Sequence, residues 1–123
     1  MLETLAFLHG LGARALVAFA VVLGVWGAYQ YFRAQRLSGG YRSTYLIMAG
    51  LVPLQGILGV AAQIAGGSAR EGILHFVYGV FATLFVPGAY GYSRGNDARR
   101  EALILAGASW IVGIAFFRGI STG

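Results

Sequence analysis

The sequence predicts an all-α integral membrane protein, a single four-helix bundle of residues 1–123 with an up-down-up-down order of helices. Two observations carry this prediction. Of the 123 residues, 58% are hydrophobic and only 11% are charged, whereas a soluble domain has about 25% charged residues. The apolar residues also gather into four long segments, and a helix that crosses a bilayer needs about 20 mostly apolar residues.

The four segments predict helices over residues 2–32, 44–65, 72–92 and 102–120. The first begins with MLETLAFLHG, which lacks the basic start of a signal peptide, so we expect it to remain as a membrane helix. The second and third helices contain Pro53 and Pro87, each of which removes a backbone hydrogen bond and should bend its helix. The connections RAQRLSGGYR, GGSARE and SRGNDARRE are short, which favours antiparallel neighbours.

The arginines predict how the bundle is oriented. The first and third connections carry three arginines each, whereas the second carries Arg70 alone, beside Glu71. Cytoplasmic loops are enriched in basic residues, so we expect those two connections in the cytoplasm and both termini outside. The predicted location is the bacterial cytoplasmic membrane, with lipid around the helices and other membrane subunits or a second copy as protein partners. We expect no nucleic-acid partner, because topology accounts for the basic residues.

The two histidines are the strongest indication of a function. His9 and His75 lie near the outward ends of the first and third predicted helices, which run in the same direction. A six-coordinate haem b takes one neutral histidine nitrogen on each face of its iron, so this pair predicts one bis-histidine haem near the outer face. Gly12 and Gly79, each about one turn from a histidine, are expected to clear room for the porphyrin edge.

Three arginines predicted on the outward side are candidates for ion pairs with the haem propionates, namely Arg14, Arg70 and Arg118. Other interpretations of the histidines stay open. One is that each histidine is an interfacial residue with an ordinary hydrogen bond. Zinc is another, although two histidines make an incomplete zinc site, and bacteriochlorophyll is a third, which needs only one histidine. Gln55 and Gln63 share a face of the second helix, where they would tie helices together or hydrogen-bond a cofactor.

The stretch LVPLQGILGVAAQIAGGSAREGILHFVYGVFATLF resembles the second half of a unit in the haem A synthase family, where an LQ…LG helix precedes a helix that begins with an axial histidine. Upstream, FLHGLGAR is similar to the family's first histidine region, and the resemblance as a whole extends over about residues 7–92. The resemblance implies one four-helix half of the eight-helix family fold, with His9 and His75 as the axial haem ligands.

This chain departs from the family pattern at the residues that the synthase reaction uses. Ala6 stands where the family has a glutamate three residues before the first histidine, and Gly10 replaces the arginine that follows it. The outer-loop cysteine pair is missing, since the chain has no cysteine. The resemblance therefore implies the haem-binding bundle rather than the synthase reaction.

The sequence thus predicts a membrane b-type cytochrome that transfers electrons alone or as a subunit of a respiratory or photosynthetic complex. No catalytic residue is predicted, because the chain offers no evident general acid, nucleophile or substrate pocket. Two alternatives stay open: a haem-free structural subunit of a membrane complex, and a half-size enzyme like haem A synthase.

Overall fold

The computed structural model describes residues 2–66 and 72–122, without the side chains of Leu74, Ser121 and Thr122. These residues form four helices and no strand, so the predicted all-helical fold is confirmed. The helices are α1 over Leu2–Arg33, α2 over Gly39–Ile64, α3 over Gly72–Ser93 and α4 over Ala98–Thr122.

Two helices begin earlier than the hydropathy predicts, at Gly39 instead of residue 44 and at Ala98 instead of residue 102. A polar side chain caps each of these first turns. The Ser38 hydroxyl accepts the backbone N–H of Tyr41 at 3.1 Å, and the Asp97 carboxylate accepts that of Arg100 at 2.8 Å. Such caps satisfy backbone donors that have no partner in the helix, so a polar first turn joins the apolar segment behind it.

Among the described residues, three helices, α1, α2 and α4, are long and apolar enough to cross a membrane. The third predicted span corresponds to α3, a 22-residue helix that contains Leu74, whose side chain is not described. Only 11% of the most apolar stretch of α1 and 17% of that of α2 are buried inside the protein. Apolar helices that present most of their surface outward are compatible with a membrane protein.

The four helices pack as a ring in which α4 contacts α1 and α3, and α2 contacts the same two helices. Within the described part of the chain, the backbones of α1 and α3 do not come into contact, so these two helices face each other across the bundle. Any residues that α1 and α3 share in a site must therefore meet near the centre.

Glycines allow α1 to approach its neighbours closely. Gly24 lies against the indole ring of Trp110. A Cβ added at Gly27 would lie 2.7 Å from the hydroxyl of Tyr41 and 2.9 Å from the Cβ of Ala106. Small residues on this face therefore serve helix packing.

We expect Gly27→Ala to destabilise the protein by about 1–3 kcal/mol, because the added methyl group overpacks a buried contact. Gly107→Ala in α4 is the matched control, since no atom lies within 4 Å of the added Cβ, and alanine favours the helix. Thermal unfolding of both variants, followed by circular dichroism in one detergent, measures the difference. Equal transition temperatures would contradict the close approach of α1 to α2 and α4.

The core occupies one half of the bundle. All buried residues among those described lie within 16–52 or 82–115. Tyr41 and Tyr45 are fully buried there, and their hydroxyl groups donate to the carbonyl oxygens of Leu23 at 2.9 Å and Val86 at 2.8 Å.

The other half is more loosely packed. We call it the histidine end, and its described residues are 2–15, 53–66, 72–81 and 116–120. None of the side chains described in these ranges is fully buried. Both histidines lie in this half, and both are half-buried.

Candidate functional site

The two histidines meet at the histidine end, although they are 66 positions apart in the chain. His9 approaches from α1 and His75 from α3, and their ring centroids lie 5.8 Å apart with the ring planes at 70°. Because α1 and α3 face each other across the bundle, the two imidazoles bridge its centre.

Each imidazole is oriented by a backbone carbonyl of an adjacent helix. The Nδ1 atom of His9 lies 3.2 Å from the carbonyl oxygen of Gln55 in α2, and that of His75 lies 3.0 Å from the carbonyl oxygen of Gly119 in α4. A carbonyl oxygen only accepts, so each contact is a hydrogen bond when the ring carries its proton on Nδ1. A neutral ring in that tautomer has its lone pair on Nε2, through which histidine binds a metal. At His9 the amide nitrogen of Gln55, 3.1 Å from the same Nδ1 atom, donates to the opposite tautomer.

The carbonyl of Gly119 belongs to the last turn of α4, which ends at Thr122. The contact with His75 thus joins α3 to the end of α4, and α4 orients the ring of His75.

Gln55 binds α1 through its side chain as well as its backbone. Its Nε2 atom donates to the carbonyl oxygen of His9 and also lies 3.1 Å from His9 Nδ1. Gln55 thus ties α2 to α1, one of the two roles that the sequence left open for it. Gln63, by contrast, is exposed.

The glycines near the histidines have different surroundings. A Cβ at Gly79, one turn after His75, would meet no atom within 4 Å, so that side of α3 is open. The space at Gly12, one turn after His9, is filled by the side chain of Gln55. Gly59 in α2 lies against the His9 ring, where a Cβ would be 2.8 Å from Cε1.

Two of the three arginines predicted to pair with the propionates lie among the described residues. Arg14 in α1 and Arg118 in α4 are exposed at the histidine end. Arg118 directly precedes Gly119, whose carbonyl binds His75. Arg70 lies outside the described residues.

The geometry of the pair fits a bis-histidine haem. A metal-bound imidazole nitrogen lies about 2 Å from the metal, so two rings on opposite faces of one iron have centroids roughly 6 Å apart, close to the 5.8 Å observed. Ring planes at 70° are compatible with this, because each plane need only contain the iron–nitrogen direction. No group of three or more His, Cys, Asp or Glu side chains that could hold a metal ion is found among the described residues, and a bis-histidine haem requires only two protein ligands.

An apolar groove of about 180 Å³ runs between α1 and α2 beside Gln55. It is otherwise lined by small and aliphatic residues and one aromatic ring, namely Gly12, Ala15, Leu16, Phe19, Leu51, Leu54 and Leu58. Neither histidine contributes to this groove. Apart from Gln55, its walls offer only apolar contact, so the groove adds no reactive group to the site.

A second polar cluster lies in the core half and joins three helices. The carboxylate of Glu101, only 6% exposed, accepts hydrogen bonds from Arg42 at 2.6 and 3.0 Å and from Arg94 at 3.2 Å. The Arg94 guanidinium also lies over the ring of Tyr90, 5.6 Å from its centre. These contacts tie the start of α4 to α2 and to the end of α3, which is a structural role.

Comparison of the chain with known protein families, with curated proteins and with solved structures finds no match.

Proposed function

We propose that this protein is a multi-pass membrane cytochrome that holds one haem b between His9 and His75. The observation that supports this most strongly is the pair itself. Two imidazoles from facing helices meet at 5.8 Å, and the Nδ1 atom of each lies within hydrogen-bond distance of a backbone carbonyl oxygen. With the proton on Nδ1, Nε2 would be the coordinating nitrogen of each ring. When bound in this way, haem supplies one-electron transfer.

Side chains and backbone carbonyls of the protein would bind and orient the haem. His9 and His75 hold the iron, and the carbonyl groups of Gln55 and Gly119 fix the two rings. Arg14, Arg70 and Arg118 are the proposed partners of the propionates. The exposure of Arg14 and Arg118 at the histidine end supports this role, since carboxylates prefer the aqueous boundary.

The proposed setting is the bacterial cytoplasmic membrane, with four helices in an up-down-up-down order and both termini outward. Contacts between α1 and α2 support opposite directions, because His9 near the start of α1 lies against Gly59, whereas Gly27 lies against Tyr41 near the start of α2. Six of the nine arginines lie in or beside the first and third connections, which supports placing those connections in the cytoplasm.

The visible spectrum of the full chain tests the proposal. Protein produced in haem-replete cells and purified in detergent should carry about one haem b per chain by the pyridine haemochrome assay, as two axial ligands predict. Dithionite reduction should give the sharp α-band of a six-coordinate low-spin haem. A colourless protein would contradict the proposal, and zinc analysis with pigment extraction would then test the metal and bacteriochlorophyll alternatives.

A haem-free structural subunit of a membrane complex is the second candidate. It is supported by the extensive apolar surface of α1 and α2, which a partner subunit would cover as well as lipid does. We do not extend the proposal to the haem A synthase reaction, because Ala6 stands at the position of the family's glutamate and supplies no carboxylate.

A further inference from the structure

A reciprocal pair of contacts joins α1 and α2 at the histidine end. The Nδ1 atom of His9 lies 3.2 Å from the carbonyl oxygen of Gln55, to which it donates in the Nδ1–H tautomer, and the side chain of Gln55 donates to the carbonyl oxygen of His9. Each residue therefore uses its side chain and its backbone toward the other. Such a pair fixes both the distance between the helices and the direction of the His9 ring.

Each of these bonds passes over a glycine. In an α-helix the carbonyl of one residue points toward the residue four positions later, so side chains three and four positions later flank it. Gly59 is four residues after Gln55, and a Cβ there would lie 2.8 Å from Cε1 and 3.2 Å from Nδ1 of His9. Gly12 is three residues after His9, and a Cβ there would collide with the Gln55 amide oxygen. The two glycines thus expose the carbonyl groups that the opposite side chains bind.

We propose that Gln55, Gly59 and Gly12 are positioning residues that hold His9 in the Nδ1–H tautomer with Nε2 available to the haem iron. We call these three residues with His9 the α1–α2 clasp. The part that concerns haem rests on the proposed function, whereas the orientation of His9 is a property of the chain itself. The clasp orients His9 before haem binds. A precise metal site needs such preorganisation of its ligands.

The clasp is expected to strengthen haem binding because it removes the alternative rotamers and the alternative tautomer of His9. Residues that orient a ligating histidine typically contribute about 10- to 100-fold to metal affinity. Gly59→Ala places a methyl group against the ring and blocks access to the Gln55 carbonyl. Gln55→Leu keeps the size of the side chain but removes its donor to the carbonyl of His9.

Haem titration of the full chain in detergent is the first readout. Gly59→Ala and Gln55→Leu should each bind haem about 10- to 100-fold more weakly than the natural sequence. The matched controls are Gly56→Ala, where no atom lies within 4 Å of the added Cβ, and Gln63→Leu at an exposed glutamine of the same helix. Controls that lose affinity as strongly as the clasp variants would overturn the proposal.

The second readout needs no haem. Nitrogen-15 NMR of histidine-labelled protein distinguishes the two neutral tautomers, and the chain has only two histidines, so comparison with His75→Ala assigns the His9 signals. We expect the Nδ1–H tautomer at His9 in the natural sequence and its partial loss in Gly59→Ala but not in Gly56→Ala. Gln55→Leu keeps the backbone carbonyl that His9 Nδ1 faces, so the Nδ1–H tautomer is expected to persist in it, and it serves as the second variant for the haem titration if Gly59→Ala does not fold.

The two readouts separate the two proposals. An Nε2–H tautomer at His9 in the natural sequence, or the same tautomer in Gly59→Ala and Gly56→Ala, would overturn the clasp even if haem is bound. A protein that binds no haem but shows the tautomer change in Gly59→Ala and not in Gly56→Ala would overturn the proposed function and support the clasp.

Discussion

Replacing either histidine with alanine should abolish stoichiometric haem binding. His9 and His75 are the only histidines in the chain, and they face each other at 5.8 Å with both rings anchored through Nδ1. Alanine at either position removes one axial ligand and leaves the iron with a single protein bond. The pyridine haemochrome assay on purified His9→Ala and His75→Ala protein measures the loss, and we expect haem content near zero in both.

A variant that keeps a ligand provides the control for this experiment. His75→Met retains an axial donor, and methionine–histidine ligation raises the reduction potential of a haem. We therefore expect His75→Met to retain haem with a higher midpoint potential in a redox titration. Full haem content in both alanine variants would show that the two histidines are not the axial ligands.

Replacing Arg42 with alanine should lower the stability of the protein more than replacing Arg94, the other arginine that binds Glu101. The Arg42 guanidinium makes two hydrogen bonds to one oxygen of a carboxylate that is only 6% exposed, whereas Arg94 makes one longer bond to the other. Hydrogen bonds to charged groups contribute about 1.5–3 kcal/mol, so Arg42→Ala should lower the free energy of unfolding by about that amount. Arg94→Ala should cost less, because its guanidinium is 55% exposed.

Unfolding of the variants in one detergent, followed by circular dichroism, would rank their stabilities. Arg100→Ala is the matched control, since that side chain is exposed. The double variant Arg42→Leu with Glu101→Leu should be more stable than Arg42→Ala, because replacing both charges leaves no buried carboxylate short of a partner. If Arg42→Ala and Arg100→Ala unfold alike, the cluster does not stabilise the bundle.

The helices themselves were predictable from the sequence. A helix satisfies its backbone hydrogen bonds locally, so apolar segments long enough for a bilayer predict helices without knowledge of their neighbours. The predicted first and third helices agree with α1 and α3 to within one residue at their described ends. The starts of α2 and α4 were predicted too late, because hydropathy does not register the caps made by Ser38 and Asp97.

The depth of the two histidines was harder to predict. In α1, 24 residues follow His9, whereas in α3 only 18 follow His75. At about 1.5 Å per residue, counting from the far ends of the helices separates the histidines by more than one turn. The structure brings the rings together because α1 extends further beyond the site than α3 does. Such an offset depends on packing between helices and is not encoded in either segment alone.

The surroundings of the glycines were likewise not predictable from the sequence. Gly56 and Gly59 look equivalent in the sequence, yet Gly59 lies against the His9 ring and Gly56 has open space beside it. The sequence by itself determined the all-helical fold and singled out His9 and His75. Only the tertiary structure decided that they meet and that the carbonyls of Gln55 and Gly119 orient them, because these bonds join residues 46 and 44 positions apart, on helices whose relative placement depends on packing across the whole bundle.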